Sequence, residues 1–104
     1  MKVLFVCSAG MSSAIAVNAL KQEAEKNGVL IEVKAVGTQE FEEEIKTGWD
    51  IAMVAPQIRH RFAYLKQAAD EAGVPCSLIT PVAYSPMGGA KLLAQVQETF
   101  NLKG

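Results

Sequence analysis

Short apolar segments and segments with only one apolar face alternate along this chain. Residues 2–6 and 51–54 are apolar at nearly every position, which is typical of strands covered on both faces in the middle of a sheet. Between residues 29 and 36, charged and apolar side chains alternate instead, and this period of two predicts a half-exposed edge strand. Residues 76–79 form a further short segment that is predicted to be a strand, so the sequence predicts four strands.

Helical periodicity fills the stretches between these strands. The first helix is predicted over residues 14–26, where the pair Asn27-Gly28 supplies a left-handed cap. A short helix follows Gly37, and a longer one is expected to run without interruption over residues 56–72. The longer helix carries the strongest apolar stripe, at Ile58, Phe62, Leu65, Ala69 and Ala72. A final helix is marked by Leu92, Leu93, Val96 and Phe100.

Strands that alternate with helices predict a three-layer α/β fold with a parallel sheet and right-handed crossovers. With the second strand at an edge and the first and third in the middle, the strand order is 2-1-3-4. This is a doubly wound, flavodoxin-like arrangement, and the switch point of its strand order lies between strands one and three. Ligands bind at such a switch point, outside the carboxyl ends of the strands, and residue 7 falls there.

Length and charge narrow the possible functions. A chain of 104 residues is predicted to form one domain over residues 1–104, and its formal net charge is −1. No basic segment favours nucleic acid or a membrane surface, and no apolar segment approaches the roughly 18 residues of a membrane span. The N-terminus enters a strand at once, without a secretory leader. We therefore expect a cytoplasmic monomer that does not insert into a membrane.

The segment after the first strand carries the candidate chemistry. Its residues are Cys7, Ser8, Ala9, Gly10, Met11, Ser12 and Ser13. Small residues between a strand and a helix N-terminus allow backbone N–H groups to converge on an anion, and the same field favours the thiolate form of a cysteine. We expect Cys7 to be an exposed nucleophile inside a phosphate cradle, which indicates phosphoryl transfer through a phosphocysteine. An unreactive cysteine beside an ordinary strand–helix turn is the alternative.

This segment resembles the phosphorylation loop of enzyme IIB in the phosphoenolpyruvate–sugar phosphotransferase system (PTS), in the lactose/cellobiose/chitobiose family. Chain length, element order, Pro56-Gln57-Ile58 after the third strand and Tyr84 after the fourth also fit that family. The resemblance implies that Cys7 accepts phosphate from a histidine of enzyme IIA. It further implies transfer to a sugar, such as cellobiose, chitobiose or lactose, that is held by membrane enzyme IIC.

Three other side chains are candidates for the rim of this site. Gln57 follows the third strand, and the family likeness supports its place near the loop. Tyr84 either packs over the loop or has a plain structural role. Arg59 belongs to a basic segment with His60 and Arg61 that would help to receive a phosphorylated partner. His60 itself is interpreted as an exposed helical residue, and not as a phosphorylation site.

A phosphatase or an arsenate reductase of the same fold is the enzymatic alternative. Low-molecular-weight protein tyrosine phosphatases share this sheet and loop, but their loop closes with arginine, where this chain has Ser13. They also use a late-loop aspartate, and residues 80–89 contain no Asp or Glu. A phosphocysteine should therefore persist here long enough to be transferred. A noncatalytic module of the same fold is the third possibility.

No cofactor or metal is expected. One histidine and two cysteines that lie far apart cannot supply a metal site. The segment lacks the lysine of a nucleotide-binding P-loop. Cys76 opens the fourth strand at the opposite edge of the sheet from Cys7, so we interpret it as a small buried apolar residue and expect no disulfide.

Overall fold

A four-stranded parallel sheet forms the middle layer of the computed structural model, which describes residues 1–7, 13–84 and 88–101. The strands are β1 (Lys2–Cys7), β2 (Glu32–Gly37), β3 (Ile51–Val54) and β4 (Cys76–Leu78). Their order is β2-β1-β3-β4, and every neighbouring pair is parallel. The predicted fold class and strand order are confirmed.

Helices cover both faces of this sheet. On one face lie α1 (Ser13–Lys26) and α4 (Gly89–Asn101), and on the other lie α2 (Thr38–Glu44) and α3 (Phe62–Glu71). A 3₁₀ turn, Ile45–Thr47, continues α2, and a 3₁₀ segment, Pro56–Arg61, precedes α3.

The core consists of two clusters, one on each face of β1 and β3. Val3 and Phe5 of β1 pack in the cluster with α1 and α4, whereas Leu4 and Val6 pack in the cluster with α2 and α3. All four side chains are at most 1% exposed. This alternation explains why β1 is apolar at successive positions, since a strand covered on both faces needs apolar side chains on both.

Two helices end on glycine caps, and the one at Gly28 is the cap that the sequence predicts. Gly28 has φ 69°, and the N–H groups of Gly28 and Val29 donate to the carbonyl oxygens of Glu25 and Ala24 at 3.2 and 2.8 Å. Gly73, with φ 73°, ends α3 through the same pair of bonds. These Schellman motifs need a left-handed residue, a conformation that glycine adopts without a side-chain clash.

The expectation of one continuous helix over residues 56–72 is wrong. Ile58 has φ −115° and ψ 29°, which interrupts helical geometry, so α3 begins only at Phe62. The Ile58 side chain is 3% exposed and belongs to the core cluster of α2 and α3. The apolar spacing of Ile58 was therefore correct for burial but did not reflect a regular helix.

The predicted final helix is confirmed as α4, and one of its buried residues is polar. Phe100 is 38% exposed, whereas Thr99 is buried. Thr99 Oγ1 lies 2.8 Å from the Gln95 carbonyl oxygen and 2.8 Å from Ser77 Oγ, so its hydroxyl donates to the carbonyl and accepts from the serine. A polar residue that satisfies its hydrogen bonds can occupy such a core position.

Candidate functional site

Cys7 is the last residue of β1, at the edge of the sheet where three strands end together. It lies opposite Gly37, the last residue of β2, and Val6 lies opposite Val54, the last residue of β3. The N–H of Ala55 donates to the carbonyl oxygen of Val6 at 2.9 Å, which keeps the chain after β3 beside the end of β1. Cys7 therefore lies at the switch point between β1 and β3, as the strand order predicts.

The environment of Cys7 differs from the exposed loop thiol expected from the sequence. The residue is 0% exposed and packs in the cluster that contains Phe41, Ala55 and Ile58. The physical reason is that pairing with β2 extends through Cys7, so the residue is part of a central strand that helices cover. A thiol at this position contributes to packing, so substitutions there affect stability.

The candidate phosphate cradle lies mostly outside the described part of the chain. The residues Ser8, Ala9, Gly10, Met11 and Ser12 lie outside the described part of the chain. Ser13 is the first residue of α1, one position before the expected start, and its side chain also lies outside the description. The backbone of α1 therefore begins six positions after Cys7, and a helix N-terminus carries a positive partial charge and N–H groups with no intrahelical partner.

The candidate rim residues Gln57 and Arg59 are both exposed. They lie with His60 and Arg61 in the 3₁₀ segment that follows β3, and β3 ends beside β1. The segment that follows β3, the strand next to Cys7, thus exposes three successive basic or titratable side chains. The exposure expected for His60 is confirmed.

Sequence reasoning missed a cleft beside this basic segment. The cleft has a volume of about 320 Å³ and lies between the starts of α2 and α3, lined by Thr38, Gln39, Glu42, Arg61 and Tyr64. Tyr64 is 53% exposed, although it is a large aromatic residue. Its place outside the apolar stripe of α3 was the signal that could have identified it.

Tyr84 closes a turn that follows β4. The N–H groups of Ala83 and Tyr84 donate to the carbonyl oxygen of Thr80 at 3.0 and 3.1 Å. Tyr84 is partly buried and packs against both core clusters, including the one that contains Cys7. A structural role for Tyr84 is therefore evident, while residues 85–87 of the same loop lie outside the description.

Cys76 lies at the opposite end of the strands and is buried, as predicted. Burial raises the pKa of the Cys76 thiol to about 12, with a smaller opposing effect from Lys66 and a smaller reinforcing effect from Asp70. No disulfide joins Cys76 to Cys7. Cys76 therefore behaves as a small apolar residue at ordinary pH.

The described residues show neither a metal-binding cluster nor a membrane-spanning helix. Across residues 1–7, 13–84 and 88–101, no three His, Cys, Asp or Glu side chains gather in a way that could hold a metal ion. In the same part of the chain, every helix is too short or too polar to cross a membrane.

The chain is similar to a protein family, to individual relatives and to solved structures. A family model described as "PTS system, Lactose/Cellobiose specific IIB subunit" matches residues 2–95. The oligo-beta-mannoside-specific EIIB component of Bacillus subtilis is 30% identical over 94 residues, which cover 90% of each chain. The solution structure of the cellobiose-specific IIB component from Borrelia burgdorferi superposes with a TM-score of 0.79 at 28% identity, covering 100% of this chain and 94% of the other.

A further relative is much longer than this chain. The lactose-specific EIICB component of Streptococcus mutans is 28% identical over 100 residues, which are 94% of this chain but only 17% of that protein.

Proposed function

Because the chain belongs to the lactose/cellobiose-specific IIB subunit family of the PTS, we propose that it is a phosphocarrier in sugar uptake whose phosphoryl acceptor is Cys7. The observation that carries the assignment to Cys7 is its position as the last residue of β1, at the switch point of the sheet. A nucleophile there has the N-terminus of α1 ahead of it in the chain and the ends of β2 and β3 on either side.

Two transfers make up the proposed reaction. In the first, the Cys7 thiolate attacks the phosphorus of a phosphohistidine on enzyme IIA, the N–P bond breaks and an S–P bond forms. In the second, a sugar hydroxyl attacks the same phosphorus, the S–P bond breaks and Cys7 leaves as a thiolate while the hydroxyl loses its proton. The chain thus acts as a protein-phosphohistidine–sugar phosphotransferase and is regenerated after each cycle.

The proposed cradle supplies hydrogen-bond donors to the phosphoryl oxygens. Its residues are Ser8, Ala9, Gly10, Met11, Ser12 and Ser13, through backbone N–H groups and the serine hydroxyls. None of these residues is cationic. Stabilisation of the phosphoryl charge would therefore come from neutral donors and the start of α1, with the exposed Arg59 and Gln57 at the rim as further donors.

The proposed donor is enzyme IIA, and the proposed acceptor is a sugar bound by membrane enzyme IIC. Support for the IIC partner comes from the Streptococcus mutans relative, whose name combines the IIC and IIB components in one chain. The names of two relatives give their specificities as oligo-beta-mannoside and cellobiose. We place the chain in the cytoplasm and assign it a β-disaccharide such as cellobiose, chitobiose or lactose.

Intact mass after incubation with phosphorylated enzyme IIA tests this function. The wild-type chain should gain the mass of one phosphoryl group, whereas Cys7→Ser should gain none. Cys76→Ala is the matched control because it removes the other buried cysteine, and it should be phosphorylated as the wild type is. If Cys7→Ser still gains one phosphoryl group, the acceptor is another residue, and His60→Ala then shows whether it is the histidine.

The burial of Cys7 adds a necessary control to that experiment. A hydroxyl in place of the thiol at a 0% exposed position should lower the free energy of unfolding by about 1–3 kcal/mol, because it is a more polar group in the core. Thermal melting of Cys7→Ser therefore needs to show a cooperative transition well above the assay temperature. Loss of phosphorylation in a folded variant then reports on chemistry and not on stability.

A further inference from the structure

The side chain of Gln95 forms two hydrogen bonds with the outer edge of the sheet. Its Nε2 donates to the carbonyl oxygen of Leu78 at 2.8 Å, and its Oε1 accepts from the backbone N–H of Thr80 at 3.2 Å. Leu78 is the last residue of β4, and within residues 1–7, 13–84 and 88–101 this strand pairs only with β3, so these two groups lie on its other edge. Gln95 itself is half-buried in the middle of α4.

These two bonds reproduce the contacts of a missing strand. In a parallel sheet, one residue of a neighbouring strand donates its N–H to a carbonyl and accepts with its own carbonyl from the N–H two residues further on. A glutamine side chain carries the same amide group as a peptide unit. Gln95 therefore satisfies Leu78 and Thr80 as a fifth strand would, and it does so from a helix that packs on the sheet.

Thr80 is also the residue on which the following turn is built. Its carbonyl oxygen accepts from the N–H groups of Ala83 and Tyr84, and its Oγ1 lies 3.4 Å from the Ala83 nitrogen. The orientation of the turn relative to the sheet thus depends on how Thr80 is held. Thr80 follows the end of β4 in the chain, and its N–H is bonded to the side chain of Gln95. The bond between the Ile79 N–H and the Val54 carbonyl oxygen, 2.8 Å long, is the last that β3 makes with this segment.

The turn presents an apolar surface at the edge of the sheet where Cys7 lies. Val82 is 59% exposed, and Pro81 beside it is exposed as well. β4 is two strands away from β1, which corresponds to roughly 10 Å at the usual strand spacing. A protein that brings a phosphohistidine to the end of β1 would extend over this distance.

We propose that Gln95 is a positioning residue for phosphoryl transfer: it sets the turn Thr80–Tyr84 and so places Val82 for contact with the phosphorylated donor, enzyme IIA. This inference rests on the proposed function of the chain. Gln95 touches neither the phosphoryl group nor Cys7 in this role, and it acts through Thr80 alone.

The test compares Gln95→Met with the wild-type chain. Methionine keeps the length of the side chain and removes both hydrogen bonds, and Gln97→Met, on an exposed position of the same helix, is the matched control. For Gln95→Met we expect the KM for phosphorylated enzyme IIA to rise by about fivefold, the ratio that corresponds to one net hydrogen bond of typical strength. The kcat should stay within about twofold of the wild-type value, because Cys7 is untouched.

This pattern separates positioning from a purely structural role. A variant that merely loses stability contains less folded protein, which lowers the apparent kcat and leaves the KM unchanged. Amide hydrogen exchange of Thr80 reports on the bond directly, and it should be slow in the wild type and in Gln97→Met but on the order of tenfold faster in Gln95→Met. Val82→Ser should raise the KM in the wild type and add little to Gln95→Met, since both act through the same surface.

Different results would refute the role of Gln95 and the proposed function of the chain. A wild-type KM in folded Gln95→Met, together with fast exchange at Thr80, would overturn the inference while leaving the proposed function intact. Fast exchange at Thr80 in the wild type would also overturn it, even if Gln95→Met did not fold. By contrast, a wild-type chain that takes no phosphoryl group from enzyme IIA would refute the proposed function itself.

Discussion

Replacing Gly88 with alanine should displace the turn that follows β4. Gly88 is buried, directly before α4, and a Cβ atom built on it would lie 2.4 Å from the Val82 carbonyl oxygen and 2.8 Å from that of Ala83. Both contacts are with backbone atoms, which cannot rotate away as a side chain can. Because nonbonded heavy atoms normally lie about 3.5 Å apart or more, the added methyl group overlaps these oxygens by about 1 Å.

The cost of this overlap can be estimated from core substitutions that add volume. Such overpacking costs about 1–3 kcal/mol in a well-packed site. A change of about 1 kcal/mol shifts the Tm of a domain of this size by roughly 4–8 °C. We therefore expect the Tm of Gly88→Ala to fall by roughly 5–20 °C, while the chain keeps its helical content below the transition.

Thermal unfolding followed by far-UV circular dichroism measures this change, with fluorescence of the buried Trp49 as a second probe. Gly28 is the matched control, since it has φ +69° and nothing within 4 Å of its built Cβ. There the cost of alanine is conformational, about 1–2 kcal/mol, and Gly28→Asn should recover part of it because asparagine tolerates this conformation. At Gly88, where the cost is steric, asparagine should be worse than alanine. A wild-type Tm for Gly88→Ala would refute the close packing of Gly88 on the turn.

Two further predictions concern the cysteines and the cradle. At about pH 8, iodoacetamide should leave Cys76 unmodified in the folded chain and label it in denaturant, as counted by intact mass, because burial raises the pKa of that thiol to about 12. Because this folded-state pKa lies above the unfolded value, the thiol ionises first in the unfolded chain. The free energy of unfolding should therefore be constant below about pH 8.5 and fall as the pH rises toward 12. Gly10→Val should slow phosphorylation by enzyme IIA more than Ser12→Ala does, because losing one neutral donor costs about 1 kcal/mol while a misdirected loop loses several. A folded Gly10→Val chain that is phosphorylated at the wild-type rate would exclude a backbone cradle.

The sheet could be predicted from the sequence because its signals are local and repeated. Residues 51–54 are apolar on both faces, and the structure places β3 over the same four positions. The charged residues Glu32 and Lys34 are exposed on β2, as an edge strand requires. Together these patterns determine which strands are central, and with right-handed crossovers only one order remains.

The features that the sequence did not predict depend on tertiary contacts. The burial of Cys7 follows from pairing that extends to Gly37, and nothing in the local sequence shows where that pairing stops. Gln95 is a polar residue on a predicted helix, and its role depends on the exact position of α4 against β4. The cleft at Tyr64 likewise requires two helices to be placed side by side. Spacing in one element cannot reveal such a contact between two.

Burial alone does not separate the two cysteines, since Cys7 is 0% exposed and Cys76 is 6% exposed. Their positions along the strands do separate them, because Cys7 is the last residue of β1 and Cys76 the first residue of β4. Cys76 and Leu4 both lie opposite Ala52, so Cys76 is level with a position three residues before Cys7 and two strands to the side. With about 3.3 Å per residue and about 4.8 Å between strands, the two Cα atoms are roughly 14 Å apart, twice the separation of about 7 Å that a disulfide allows. Cys7, the proposed phosphoryl acceptor, ends its strand and is followed in the chain by the N-terminus of α1, whereas Cys76 begins its strand.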